Sequence, residues 1–318
     1  MKPMTHRVTP ELKRLHHKYH DYCMICNYEF KHLDTTHLGY GENNEPLYCC
    51  DNCANKIKEI AVRYSYSKRP FIIPPDNSCL WRYMDFTKYV SILSNKCLYF
   101  ASADSFQDVF EGAKGLRNRK GEWDSYYLDF FRDAIKSAPN GHGLNKSQSD
   151  IDEEAKRLLF ECEAIGIKDR KVSYISCWHE NNHESEAMWK LYSNYMENAV
   201  AIKTSYKSLR DAMHDDLGIQ IGRVEYVDFS KEFSGVNGAL WRKRKSFEHE
   251  KEVRAITKDF KCNSKGKNIE CDLSILIESV YISPLAPSWF LQLVNDVNSR
   301  FGLDIKVSSS NLTDEPFY

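Results

Sequence analysis

The 318-residue chain has no apolar run approaching the roughly 18 residues of a membrane-spanning helix. Its start, Met1-Lys-Pro-Met-Thr-His, has no signal-peptide core. The two absences predict a cytoplasmic protein with no membrane partner. Net charge is also missing: 44 Lys and Arg stand against 45 Asp and Glu. The chain is therefore no polycation, and any nucleic-acid contact must come from a local basic patch. Neither GxGxxG nor GxxxxGK occurs, so the two common glycine-rich phosphate loops are excluded. No internal repeat is present. Aromatic residues, by contrast, are plentiful. The 19 Tyr, 16 Phe and 6 Trp suffice to line a ligand pocket as well as fill a core. With 42% hydrophobic and 28% charged residues, an ordinary globular core is expected and wholesale disorder is not.

The 11 cysteines are odd in number, and five of them fall within Cys23–Cys53. A secreted disulfide scaffold would be shorter and more evenly studded, whereas clustered cysteines in a cytosolic chain suggest metal. Cys23-Met-Ile-Cys26 and Cys50-Asp-Asn-Cys53 are two CxxC knuckles. Each can place two thiolates on one ion, giving the closed tetrahedral shell of structural Zn2+. Cys49 is a rival ligand and His37 the one plausible nitrogen substitute. Reduced core cysteines would not explain the paired spacing.

The chain reads as two unequal parts. Residues 1–70 form a zinc-binding module with helical flanks expected over 11–22 and 55–66, and carry six of the 11 His. Residues 71–79, with Ile73-Pro-Pro-Asp-Asn-Ser, form a connector, and residues 80–318 a larger domain. There, strands are expected at 80–83, 97–101, 172–178, 199–203, 219–229, 252–257, 269–283 and 304–307. Helices are expected at 86–93, 124–137, 151–164, 185–195, 205–213 and 287–300. Strands outnumber long helices and do not alternate with them, which argues for an α+β fold with a mixed sheet rather than a doubly wound one.

Thr36-His37, Asn43-Asn44, Pro46-Leu-Tyr-Cys49 and Cys53-Ala-Asn-Lys56 resemble the treble-clef zinc frame of HNH nucleases. That resemblance implies His37 as the base of a metal-dependent nuclease. Ala54, however, stands where a helix-start His is often found, so a degenerate treble clef that binds nucleic acid or protein is the expected form.

A second resemblance covers 80–258. Leu80-Trp-Arg-Tyr83, Phe106-Gln-Asp-Val-Phe-Glu111, Met188-Trp189-Lys-Leu-Tyr192 and Glu248-His-Glu250-Lys-Glu252-Val-Arg254 look like a widespread bacterial domain of unknown function. Its members carry Leu-Tyr-Arg-Tyr, Phe-Asn-Asp-Pro-Phe-Glu, Met-Trp-x-x-Tyr and Glu-x-Glu-Tyr-Arg. The order Arg82, Ser173 or Ser176, then Glu250-Lys-Glu252 also resembles the arginine–serine–glutamate arrangement of ADP-ribosyltransferases. On that resemblance NAD is the substrate and Arg82 binds it, with Ser173 or Ser176 orienting the nicotinamide ribose. Glu252 stabilises the ribosyl cation while Glu250 activates the acceptor. Tyr83, Trp178, Trp189 and Tyr192 could stack on nicotinamide or adenine. If Glu250 and Glu252 share a strand, their i, i+2 spacing puts both on one face.

Each residue also has a plain account. Arg82 could pair with Asp85 or Glu111, the glutamates could belong to a solvated charged run, and the aromatics could be helix packing. The leading expectation is an ADP-ribosyltransferase-like modifier of an intracellular macromolecule. The basic run Arg242-Lys-Arg-Lys245 and the zinc module favour nucleic acid, including RNA, over protein as acceptor. By analogy alone, such a modifier suits a toxin or phage-defence component with an antitoxin partner. The alternative is a catalytically silent zinc-containing regulator.

Overall fold

A computed structural model describes residues 4–7, 22–23, 25–31, 34–40, 46–56, 71–136, 146–193, 196–213, 218–235, 238–262 and 264–318. The expected helix over 11–22 lies outside them except for Tyr22, as does most of that over 55–66. The chain divides into two compact units. Met1–Pro70 and Asp124–Leu159 form one, Phe71–Trp123 and Phe160–Tyr318 the other.

The first unit contains β1 (Met4–Arg7), β2 (Thr35–Tyr40) and β3 (Pro46–Cys50) in an antiparallel sheet of that order, followed by a 3-10 turn over Asp51–Lys56. Its buried cluster is small and sulfur-rich: Cys23, Phe30, Tyr48, Cys49, Cys50 and Cys53.

The second unit opens with β4 (Cys79–Asp85), α1 (Phe86–Asn95) and β5 (Cys97–Ser102). Asp85 caps α1 by accepting the Lys88 N–H at 2.8 Å, and Lys96 ends it in the left-handed region at φ 51°. Next come α2 (Lys120–Lys136) and α3 (Gln148–Val172), whose Ile135, Ile151 and Ala155 form a small core within the first unit. After them come β6 (Ser173–Glu180), α4 (Glu186–Tyr192), β7 (Ala199–Ser205), α5 (Tyr206–Asp211), β8 (Gln220–Arg223) and β9 (Glu225–Val227). The chain ends with β10 (Arg242–Arg244), β11 (Glu252–Lys258), β12 (Gly266–Glu270), α6 (Leu273–Leu276), β13 (Ser279–Ile282), α7 (Ser288–Arg300) and β14 (Lys306–Ser308).

Nine strands make a mixed sheet in the order β12-β5-β6-β4-β7-β13-β14, with β11 on β6 and β8 on β11. The β13–β14 pair is parallel and its neighbours are antiparallel, so the expected α+β class with a mixed sheet holds. One face packs Leu80, Met84, Phe100, Trp178 and Val253 against Tyr89, Ile92 and Leu93 of α1 and Phe290 of α7. The other packs Trp81, Tyr83, Ala199 and Ala201 against Met188 and Trp189 of α4.

Two of the expected strands are corrected. The run 219–229 is two strands that pair with different partners, β11 and β10. The run 269–283 is interrupted by α6, because the Asp272 carboxylate accepts the N–H groups of Ser274 and Ile275 and starts a helical turn. No helix among the described residues is long and apolar enough to cross a membrane.

The sheet is forked at its centre. β6 pairs with β11 along its length, from Ser173 to His179. On its other edge it pairs with β5 through Tyr174 and Ile175, and with β4 through His179 and Glu180. Between those contacts β4 turns away to follow β7, and β5 turns away to follow β12.

Candidate functional site

In the first unit the Cys23, Cys26, Cys50 and Cys53 sulfurs all lie within 4.8 Å of one another, with Cys26 and Cys50 3.7 Å apart. Four thiolates at about 2.3 Å from one Zn2+ are about 3.8 Å apart, so the donor set fits the ion. The first knuckle closes tightly. The Cys23 N–H donates to the Tyr28 carbonyl at 2.7 Å and the Asn27 N–H to the Cys23 carbonyl at 2.8 Å. Asn27 is left-handed at φ 58°, a conformation that asparagine tolerates. Burial pushes the Cys23 thiol up, but backbone donors at Cys50, Cys26 and Ile25 outweigh it and bring the thiol down to about 7. Cys49 and His37 are outside the cluster. His37 is 5% exposed, and its Nε2 lies 2.6 Å from Asp51 Oδ1.

In the second unit a cavity of about 420 Å³ occupies the fork of the sheet. Arg82 projects into it from β4. Its guanidinium donates to Ser176 Oγ and, at 3.1 Å, to the Tyr99 carbonyl, and lies 5.5 Å from the centre of the Trp178 ring. Arg82 therefore spans the gap between the parted strands. Among the described residues no carboxylate pairs with it, neither Asp85 nor Glu111. Asp85 pairs with Lys88 and Glu111 with Arg254. Burial lowers the Arg82 pKa from the ordinary arginine value. A half-buried guanidinium bonded to two neutral oxygens is charged without local compensation.

The acidic part of the cavity is built differently from the sequence expectation. Glu250 and Glu252 do not share a strand. Glu250 ends a 3-10 turn, Lys251 is left-handed at φ 41°, and Glu252 begins β11. The turn at Lys251, rather than strand alternation, brings both carboxylates to Lys243, whose ammonium donates to each of them. Glu252 also accepts two bonds from Arg254, and Arg254 forms a second fork on Glu111. The five side chains are all buried. Burial alone would raise the Glu252 carboxyl, but the charges of Arg254 and Lys243 outweigh it and hold it at about 2. The network of three carboxylates and two cations carries one net negative charge.

The cavity gathers Arg82, Tyr83, Trp178, Tyr192, Glu250 and Glu252. Ser176 is 1% exposed and meets the site through the Arg82 guanidinium and the Trp178 indole N–H, both of which donate to its oxygen. Ser173 and Trp189 stand elsewhere. Ser173 is fully buried at the far end of β6, and Trp189 is fully buried against Tyr83 with its indole N–H on Glu184. The packing account holds for Trp189: the hydrophobic spacing that marked it belongs to a core position of α4.

Lys243 and His179 were not legible as site residues. Lys243 sat in a run read as a basic patch, but the structure spends most of that run internally. Arg242 pairs with Glu225, Lys243 with the two glutamates and Arg244 with Asp108. The expectation of a free nucleic-acid patch at 242–245 is corrected accordingly. His179 lines the cavity and is 6% exposed; its Nδ1 lies 2.6 Å from the Glu250 carbonyl. That contact fixes the proton on Nδ1 and leaves Nε2 as an acceptor. A lone histidine in a strand gives no such signal in advance.

No protein-family model and no curated protein matches the chain. Two solved structures are similar in part. One is Thermus sp. 2.9 DarT in complex with carba-NAD+, at 9% identity and a TM-score of 0.34 over 75% of this chain and 97% of that one. The other is Thermus sp. 2.9 DarT in complex with ADP-ribosylated ssDNA, at 9% identity and a TM-score of 0.35 over 77% of this chain and all of that one. Superpositions this loose establish neither a common fold nor a common chemistry.

Proposed function

We propose that the second unit is an NAD-dependent ADP-ribosyltransferase. One observation carries the reading: a single aromatic-walled cavity holds an arginine with no counter-anion among the described residues and a buried carboxylate pair. NAD presents an anionic pyrophosphate and a cationic pyridinium, which match those two features. The guanidinium offers paired donors to phosphate or ribose oxygens, and the aromatic walls suit a flat ring.

In the proposed reaction the bond between ribose C1′ and the nicotinamide nitrogen breaks. Its electron pair neutralises the pyridinium, and an oxocarbenium-like ribose remains. The acceptor attacks C1′ with a lone pair and gives up its proton. Glu252 accepts from Arg254 and Lys243 and is largely neutralised. Glu250 has Lys243 as its one salt-bridge partner among the described residues. We therefore assign both stabilisation of the ribosyl cation and receipt of the acceptor proton to Glu250, and the shaping of the pair to Glu252. Arg82 holds the dinucleotide, while Ser176 holds the Arg82 guanidinium. Incubation with labelled NAD and candidate protein, RNA and DNA acceptors tests the reading. The expected result is nicotinamide release with label on a macromolecule. Absence of transfer, of nicotinamide and of NAD binding by calorimetry would favour a silent regulator. Nucleic acid is placed first among acceptors, on the strength of the exposed Tyr22, Ile25 and Tyr28 of the first knuckle. The two tyrosines can stack on bases.

The first unit is proposed to hold one structural Zn2+ on Cys23, Cys26, Cys50 and Cys53. Protein purified without added metal should contain about one zinc per chain, and Cys50→Ser should lose it. Metal-free protein that keeps its fold would refute the assignment.

A working HNH site is not expected. His37 is buried: its Nε2–H donates to Asp51, and its unpartnered Nδ1 is itself buried, so the remaining lone pair does not reach a substrate. Supercoiled DNA should remain intact with magnesium or manganese. Cleavage that disappears in His37→Ala would reinstate the nuclease reading.

A further inference from the structure

The strand register divides the cavity between the two faces of the sheet. Trp81 pairs with His179 and Glu252 with His179, so Trp81, His179 and Glu252 project on one face. By the same alternation Arg82, Met84, Ser176 and Trp178 project on the opposite face. α1 packs there and presents Lys88, Ser91 and Asn95 to the cavity from three exposed positions on one stripe. One continuous cavity touches both sets because β4 and β5 part on the edge of β6. The cavity is therefore electrically polar. On one face lies the network with one net negative charge. On the other lies the unpaired Arg82, with Lys88 beyond it. Lys88 bonds Asp85 at 2.8 Å, yet its side chain is 70% exposed and an ammonium has three donors.

We propose that the dinucleotide passes through the fork. Its pyridinium and ribose lie on the Glu250 face, and its pyrophosphate crosses at Arg82. Its adenosine half leaves along α1, where Lys88 is a further specificity residue for the phosphates. The proposal rests on the NAD reading. Electrostatics sets the orientation: the reverse would place the pyrophosphate against Glu250 and Glu252 and the pyridinium against Arg82, with both ends repelled. Size points the same way. At about 420 Å³ the cavity lies at the small end of ligand pockets, so part of a dinucleotide must extend past it.

NAD and ADP-ribose, which lacks the pyridinium, separate the two ends when their affinities are measured by calorimetry on the full chain. Lys88→Ala should weaken both ligands alike, by about 10-fold, through loss of a charge-assisted bond. Glu250→Gln should weaken NAD and leave ADP-ribose unchanged or tighter. Lys88→Glu, which adds repulsion at an exposed site, should exceed Lys88→Ala on both ligands. If wild-type protein binds NAD but not ADP-ribose, the anionic half is not the anchor and the orientation is wrong. The orientation also fails if Lys88→Ala spares both ligands, or if Glu250→Gln weakens ADP-ribose as much as NAD. If wild-type protein binds neither ligand, the NAD reading falls, and the orientation with it.

Discussion

Glu111→Gln should lower the stability of the protein by about 3–5 kcal/mol, seen as a lower urea midpoint at unchanged slope. Arg254 is completely buried, and its guanidinium is shared among Glu111, Glu252 and the Leu240 carbonyl, with Nη2 to Glu111 Oε2 at 2.8 Å. Loss of the Glu111 charge leaves a desolvated cation with half of its compensation, and Arg254 cannot shed its proton to escape. The double variant Glu111→Met, Arg254→Met should not recover the loss, because it also strips the buried Glu252 of the guanidinium that compensates it. A single-variant loss below about 1 kcal/mol would mean that water reaches the pair and that its burial is illusory. The same network predicts acid sensitivity. The folded pKa of Glu252 is about 2, below the ordinary glutamate value of about 4.3. Its contribution is therefore full above about pH 4.3 and is lost as pH falls toward 2.

Glu250→Gln should reduce ADP-ribosyl transfer by about 10²–10³ while the fold stays intact. The amide keeps the shape and one acceptor, but loses the charge that faces the developing cation and the base that receives the acceptor proton. Glu252→Gln should behave differently. It removes charge from a carboxylate already bonded by Arg254 and Lys243, so the main consequence should be a loss of stability, with turnover reduced less than in Glu250→Gln. Rates measured beside urea midpoints separate the two effects. A Glu252→Gln protein with wild-type stability and no activity would return the cation-stabilising role to Glu252.

The sequence was most legible where pattern and punctuation agreed. The apolar residues at helical spacing over 86–93, set between extended runs at 80–83 and 97–101, announced a helix between two strands, and the structure has one. The two CxxC knuckles named their four sulfurs because spacing alone restricts which can meet. The acidic site was legible by residue type but not by geometry. Glu250 and Glu252 were read as strand neighbours, and a positive φ at Lys251 was invisible because lysine seldom marks one. Lys243 was hidden for a different reason. Charge runs are usually solvated, and nothing in Arg242-Lys-Arg-Lys245 shows that β10 turns its middle residue inward. The Glu111–Arg254 pair joins positions 143 residues apart, a separation over which local pattern carries no information.

The fork has a mechanical consequence. β12 and β5 form one blade of the sheet, and β4, β7, β13 and β14 form the other. Both blades attach to the same edge of β6 by short ladders at its two ends, and β11 supports β6 from behind. One hydrophobic core packs both blades against α1, with Leu98 and Phe100 from the first and Leu80 and Met84 from the second. Arg82, rooted in one blade and bonded to the Tyr99 carbonyl of the other, is the tie across the opening. An anion that draws the guanidinium away from that carbonyl would loosen the tie and replace it with itself.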